Sequence, residues 1–260
     1  MKIVLGIDAA WTEKEPSGVA LIIESGAGWE LAEVAPSYER FLHDTGAAGV
    51  RHRGSVPDPT ALVAAAARKA GASPDIVAVD MPLSKMPIVS RRCSDNIVSS
   101  LYGARHASKH TPSATRPGRM SDDFRAAFEA IGYSLTVSQL TGRSLIEVYP
   151  HTALIELAAA DRRLPYKHAK TRKYWPEDLP SGRRARLLEV WNRIIGLLDE
   201  KIRGVAAALP LPEMDSRAHE MKAFEDTLDA VVCAWVGACA IDGKAEALGD
   251  ETSAIWVPRI

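Results

Sequence analysis

Three apolar runs crowd into the first 37 residues, and the connections between them leave little choice of topology. Lys2–Ala10 (KIVLGIDAA), Ser17–Glu24 (SGVALIIE) and Trp29–Ser37 each read as a strand, separated only by the short turns WTEKEP and SGAG. Connections this short join antiparallel neighbours, because a parallel return needs a crossover of a dozen residues or more. The chain is therefore expected to open with a three-stranded meander.

Beyond a loop-like stretch, His43–Pro57, the pattern changes to alternating helices and strands. Asp58–Ala70 is Ala-rich and ends at Gly71, a residue suited to the left-handed position after a helix. Asp75–Met81 (DIVAVDM) is a short β-branched strand stopped by Pro82. Helices are expected over Ser94–Leu101 and over Ser121–Ile131, the latter with Ser121 as N-cap. Ser144–Tyr149 (SLIEVY) is the fifth strand, stopped by Pro150, and His151–Ala160 is helical. Arg183–Ile202 carries Leu187, Trp191, Ile194 and Leu198 on one stripe. Glu220–Ile241 is the last long helix, and Ala254–Val257 reads as a closing strand. The expected fold class is α/β: a mixed five-stranded sheet, in β-β-β-α-β-α-β-α order, flanked by helices. Right-handed crossovers place the first, fourth and fifth strands parallel and adjacent. At 260 residues the chain suits one domain, 1–260, with insertions around 85–140 and 160–215.

Charge and cysteine usage narrow the function. Lys and Arg number 32 against 33 Asp and Glu, so a nucleic-acid partner must be held by local patches rather than by a basic chain. Three cysteines with no C-x-x-C pair argue against a disulfide framework or a structural zinc site. MKIVLGID is too short an apolar run for a signal peptide, and Ala230–Ile241 falls well short of a membrane span. A cytoplasmic location with no membrane contact is the expectation.

Ligands of parallel sheets bind beyond the carboxyl ends of the strands, and acids collect there. Asp8 closes VLGID, Asp80 closes VAVD, and Glu147 lies in LIEVYP. Strand alternation puts Val4, Gly6 and Asp8 on one face and Ile76, Ala78 and Asp80 on one face. On the last helix Asp226 and Asp229 are spaced i, i+3, and Ala230, Cys233, Ala234 and Gly237 continue that side with small residues. Such a helix can press close to the sheet and deliver its carboxylates near Asp8 and Asp80. A lone Asp at a strand end is usually a turn or cap residue. Several brought together repel, and either protonation or a divalent cation must relieve them. All-oxygen donors favour Mg²⁺ or Mn²⁺, and two such ions suit phosphodiester cleavage.

At these residues the chain is similar to a known family. GIDAAW, AVDMPLS, RRCSD, IEVYPHTAL and EDTLDAVVCAW, in this order, resemble the domain-of-unknown-function 429 family, described as predicted nucleases of ribonuclease H fold. The resemblance runs from Lys2 to Pro258 and implies a ribonuclease-H-like sheet. More distantly, the set resembles RuvC-type Holliday-junction resolvases, which implies Asp8, Asp80, Asp226 and Asp229 as the metal-binding acids. Those resolvases often carry Glu where this chain has Asp80. Glu147 lies outside their core set but within the family's own pattern.

Two basic stretches follow the parallel strands. Lys85–Arg119 holds Lys85, Arg91, Arg92, Arg105, Lys109, Arg116 and Arg119 against one acid, Asp95, and Arg162–Lys173 holds six cations and no acid. Either could hang over the acidic edge and hold phosphates, or be a solvated loop surface. Arg91 and Arg92 are the candidate phosphate ligands, with Ser84 and His151 as further substrate contacts. His151 serves proton transfer on one reading and packing on the other, its commoner role. Cys93 reads as a buried thiol. The function expected from all this is a metal-dependent nuclease acting on DNA or RNA, with Asp8, Asp80, Glu147, Asp226 and Asp229 as catalytic residues and Mg²⁺ or Mn²⁺ as cofactor. The rivals are a phosphotransferase or ATPase of the actin and sugar-kinase type, and a non-catalytic nucleic-acid-binding module.

Overall fold

The computed structural model describes residues 1–43, 51–108 and 111–259. The loop expected over 43–57 is therefore described only in part, and Lys109 lies outside the described residues. The strands are β1 (Lys2–Asp8), β2 (Gly18–Glu24), β3 (Trp29–Ala35), β4 (Ile76–Val79), β5 (Ser134–Leu135), β6 (Ser144–Val148), β7 (Ile202–Arg203), β8 (Ala245–Gly249) and β9 (Ala254–Pro258). The helices are α1 (Tyr38–His43), α2 (Pro59–Ala70), α3 (Cys93–Tyr102), α4 (Arg119–Ala130), α5 (Pro150–Leu157), α6 (Thr171–Tyr174), α7 (Pro180–Asp199), α8 (Val205–Ala208) and α9 (Ala218–Ile241). Among the described residues all strands join one sheet, in the order β7-β3-β2-β1-β4-β6-β9-β8, with β5 alongside β6.

The meander forms, with β1–β2 and β2–β3 antiparallel. β1, β4 and β6 lie side by side and parallel. The sheet has nine strands, however, where five were expected. β5 and β7 are two residues long, too short for any periodicity to announce. β8 reads AEALG, mostly helix formers, held extended by its antiparallel ladder to β9. Helix ends shift too. α4 starts at Arg119 after Gly118, so Ser121 is not its N-cap; the Ser121 hydroxyl donates back to the Gly118 carbonyl instead. α7 ends at Asp199, and Ile202 belongs to β7. α2 begins and ends as read, with Asp58 accepting from the Ala61 amide and Gly71 at φ +80°.

The two sheet faces bury different partners. Val4, Ala20, Ala78, Ile146 and Val148 face α9 and, behind it, α7 through Leu187, Trp191 and Ile194. Leu5, Ile7, Val77, Val79 and Leu145 face α1, α2 and α4 through Phe41, Leu62 and Phe124. The packing is close where α9 crosses β1 and β2. A Cβ on Gly6 would stand 2.2 Å from the Ala230 carbonyl oxygen, and one on Gly18 would stand 2.1 Å from the Asp226 carbonyl oxygen. Both glycines are therefore fixed by helix approach rather than by backbone conformation. Gly6→Ala is expected to lower stability by about 3 kcal/mol through overpacking, read as a lower urea midpoint at unchanged slope. A loss below about 1 kcal/mol would mean that α9 does not sit on β1 as described. Among the described residues no helix is long and apolar enough to cross a membrane.

Candidate active site at the carboxyl edge of the sheet

Asp8 ends β1, and Asp80 follows β4, its amide donating to the Ile7 carbonyl at 2.9 Å. That bond ties the two acids' backbones together across the parallel pair. Alternation sends both side chains toward α9, because Val4 and Ala78 on the same parity pack there. The seat provided by Gly6 and Gly18 then sets Asp226 and Asp229 of α9 against the same edge. Asp8, Asp80 and Asp226 line one small cavity, together with Trp11, Glu15, Arg116 and Lys222. Arg116 lies over the Trp11 ring, 5.9 Å from its centroid.

The electrostatics record the crowding. Burial, then the charges of Asp226 and Asp229, hold the Asp8 carboxyl well above the usual carboxylate range, with Asp80 adding to the push and Lys167 opposing it. Asp226 is pushed up to about 6 by burial, against the counter-pull of Lys222. Two lysines supply the positive charge at hand. Lys222, one turn before Asp226, is paired with it and lies 3.9 Å from Glu225. Lys167 is paired with Asp229 and lies 3.4 Å from Glu225. Burial opposes the ammonium form of both, yet the surrounding carboxylates outweigh it and raise their pKa values. Asp229 also accepts from the Tyr166 hydroxyl at 2.9 Å. As these side chains stand, no three His, Cys, Asp or Glu among the described residues converge as a metal shell. Their chemistry suits a hard dication nonetheless, since every donor is a carboxylate oxygen and Asp8 is under pressure to be neutralised. Lys222 now supplies at Asp226 the charge that such an ion would supply.

Glu147 does not join this group. It pairs in register with Val79, not with Asp80, so the pleat turns it to the opposite face. There it is fully buried and bound by Arg92, whose Nη1 and Nη2 donate to its two oxygens at 2.5 and 2.8 Å. The Leu83 amide donates to it at 2.7 Å. Arg92 also grips Asp95 at 2.7 Å and the Leu83 carbonyl at 2.6 Å. These residues hold the segment that leaves Asp80; Arg92 offers nothing to a phosphate. Arg91 is likewise engaged locally, donating to Asn96 at 2.6 Å, to Thr111 at 3.0 Å and to the Asp95 carbonyl at 2.9 Å. Ser84 is buried and accepts from the Met86 amide at 3.1 Å. Cys93 is exposed, not buried, and slight burial, then Asp250, hold its thiol above the ordinary range.

His151 does reach the edge. It is buried edge-on between the rings of Tyr149 and Tyr166 and lines a second cavity with Asp80, Lys167 and Arg163. The second basic stretch thus contributes to the site through Arg163, Lys167 and Lys170, and the first through Arg116. Sequence reading passed over Lys222, although its place one turn before Asp226 made the ion pair legible. It also passed over Lys14, Arg51 and Arg53, which line a third cavity with His219 and Lys222.

A family model described as a protein of unknown function (DUF429) matches residues 6–254. No curated protein and no solved structure matches the chain. The matched span begins two residues before Asp8 and ends past α9, so it contains every carboxylate of the cluster: the chain belongs to the DUF429 family.

Proposed function

We propose that the chain is a metal-dependent nuclease, hydrolysing phosphodiester bonds of DNA or RNA, with a ribonuclease-H-like arrangement of its central strands. The observation that carries this reading is the meeting of aspartates from β1, the end of β4 and α9, with Asp8, Asp80 and Asp226 lining one cavity and Asp8 driven toward neutrality first by burial and then by its acidic neighbours. Asp8, Asp80 and Asp226 would hold Mg²⁺ or Mn²⁺, and Asp229 sits behind them. A dication held there supplies Lewis-acid stabilisation of the phosphate and makes an attacking water more acidic. The chain's own groups do the rest. Arg116 faces the cavity and binds a phosphate oxygen, Lys167 fixes Asp229, and the Arg92–Glu147 pair keeps the segment after Asp80 in place.

The lysine pairs favour one alternative, a nucleic-acid-binding module whose acids are already neutralised. Incubation with labelled DNA and RNA, single- and double-stranded, in Mg²⁺ and in Mn²⁺ separates the two. Cleavage that is abolished by EDTA and reduced about a hundredfold or more in Asp226→Asn is expected, since even supporting residues of metal sites are worth 10–100-fold. Absence of cleavage on every substrate, or cleavage indifferent to EDTA, overturns the nuclease reading.

A further inference from the structure

We propose that the carboxylate cavity is the middle of a continuous groove that binds single-stranded nucleic acid on both sides of the reacting phosphate, an inference that rests on reading the acids as a hydrolytic centre. On one side lies a cavity of about 870 Å³ lined by Lys14, Arg51, Arg53, His219 and Lys222, with Glu15 as its acid. Glu15, Pro16 and Lys222 line both this cavity and the carboxylate one, so the two are joined. On the other side, Trp11 and Asp80 are shared with a cavity of about 310 Å³. The chain as a whole is near neutral, at −1, so this concentration of cations on the flanks is local.

The basic flank is built by a close approach. A Cβ on Gly54 would lie 2.5 Å from the carbonyl oxygens of Glu13 and Glu15. Only glycine lets the segment carrying Arg51 and Arg53 lie down on the turn that carries Lys14. All three side chains are exposed, arranged to meet a backbone rather than one another.

The opposite flank combines rings and cations. Trp11, Tyr149 and Tyr166 wall the smaller cavity together with Arg163 and Lys170. Arg163 stands beside the Tyr174 hydroxyl, and its buried Nε and Nη2 make no well-formed hydrogen bond among the described residues. A buried guanidinium edge without a well-formed hydrogen bond marks a place for an anionic or carbonyl oxygen. The cations there also repel one another: burial, then Arg163, Lys167 and Lys173, press Lys170 below the lysine range. A cavity at the small end of the ligand range, with the half-buried Trp11 ring open to stacking and Tyr149 and Tyr166 buried in its wall, suits one unstacked base. In a duplex each base is stacked and paired and cannot enter it. That selects a single strand.

The test is fluorescence anisotropy of the full chain with a labelled oligonucleotide of about 20 nucleotides, long enough to cover a typical single-strand site. It is run in EDTA, so that binding is read without cleavage. A single strand is expected to bind at least about tenfold more tightly than its duplex, with a clear salt dependence. Lys14→Ala/Arg51→Ala/Arg53→Ala should flatten the log–log salt slope by about 2, at roughly 0.7 per lost cation, and weaken binding about tenfold or more. Arg163→Ala/Lys170→Ala should weaken single-strand binding about tenfold with little change for duplex. Absence of single-strand binding, duplex binding as tight or tighter, or indifference to both sets of substitutions overturns the groove. Binding as expected without Mg²⁺- or Mn²⁺-dependent cleavage leaves the groove standing and removes the nuclease reading. Cleavage that ignores both sets of substitutions does the reverse.

Discussion

Asp8→Asn is expected to abolish metal-dependent cleavage and, at the same time, to make the metal-free protein more stable at neutral pH. The two effects share one cause. Burial and then the carboxylates of Asp226, Asp229 and Asp80 hold the Asp8 pKa well above the usual carboxylate range, all of them disfavouring its ionised form. In the unfolded chain the same carboxyl ionises freely. A folded-state pKa above the unfolded one means that the folded protein holds protons the unfolded chain has released. The penalty is therefore absent below about pH 4, grows as pH climbs through the folded pKa, and is fully present above it. Asp226, pushed up to about 6, adds to the same trend between about pH 4 and pH 6. The raised pKa values of Lys167 and Lys222 act only in the alkaline range and leave this window alone. Wild-type stability should thus fall as the pH climbs from about 4 through the range in which Asp226 and then Asp8 ionise, and Asp8→Asn should flatten the fall. Asp8→Asn should therefore unfold at a higher Tm than the wild type at pH 8, and the difference should shrink as the pH is lowered. Mn²⁺ should raise the wild-type Tm at pH 8 and leave Asp8→Asn nearly unmoved, because the ion binds the ionised carboxylates. Scanning calorimetry from pH 5 to pH 8, with and without Mn²⁺, checks each part. A destabilised Asp8→Asn protein, or one whose Tm still responds fully to Mn²⁺, would sink the idea that Asp8 is an electrostatically strained ligand.

What the sequence made legible here follows from period and side-chain size. Strand alternation put Asp8 and Asp80 on one face, and Gly6, Ala230, Ala234 and Gly237 announced a helix lying directly on the sheet. Local turn length carried the meander. Register was a different matter. Glu147 looked equivalent to Asp80 because both lie near a strand end, yet the ladder sets Glu147 beside Val79, and one residue of offset reverses its face. Nothing in a single sequence fixes that offset. Arg92 looked like a phosphate ligand because basic residues dominate its neighbourhood; the spacing to Asp95, across the first turn of α3, was the overlooked sign of an internal partner. The basic flank was invisible for another reason. Lys14, Arg51, Arg53 and Lys222 come from segments up to about two hundred positions apart, and only the tertiary fold makes them neighbours.

Removing Arg92 is expected to be strongly destabilising. Arg92→Met would leave Glu147 and Asp95, neither with any exposed surface, as negative groups without their cation. Breaking a buried pair from one side costs about 3–5 kcal/mol, because the abandoned charge stays desolvated. For this chain that is a Tm lower by roughly 10 °C. Arg92→Lys would not restore it, since a single ammonium cannot reach Glu147, Asp95 and the Leu83 carbonyl together as the planar guanidinium does. Glu147→Gln should be far milder, about 1–2 kcal/mol. The amide keeps an oxygen for the Leu83 N–H, and one of two buried negative charges is relieved. The double substitution Arg92→Met/Glu147→Met should cost clearly less than the sum of its singles, the mark of a coupled pair. The same network holds the segment that begins at Asp80, so Glu147→Gln at permissive temperature should weaken Mn²⁺ binding about tenfold, the scale of a supporting contact, while leaving the four aspartates intact. Were Glu147 itself a ligand, binding would be lost outright. Were it only a packing residue, the Mn²⁺ isotherm would not change, and thermal denaturation alone would register the substitution.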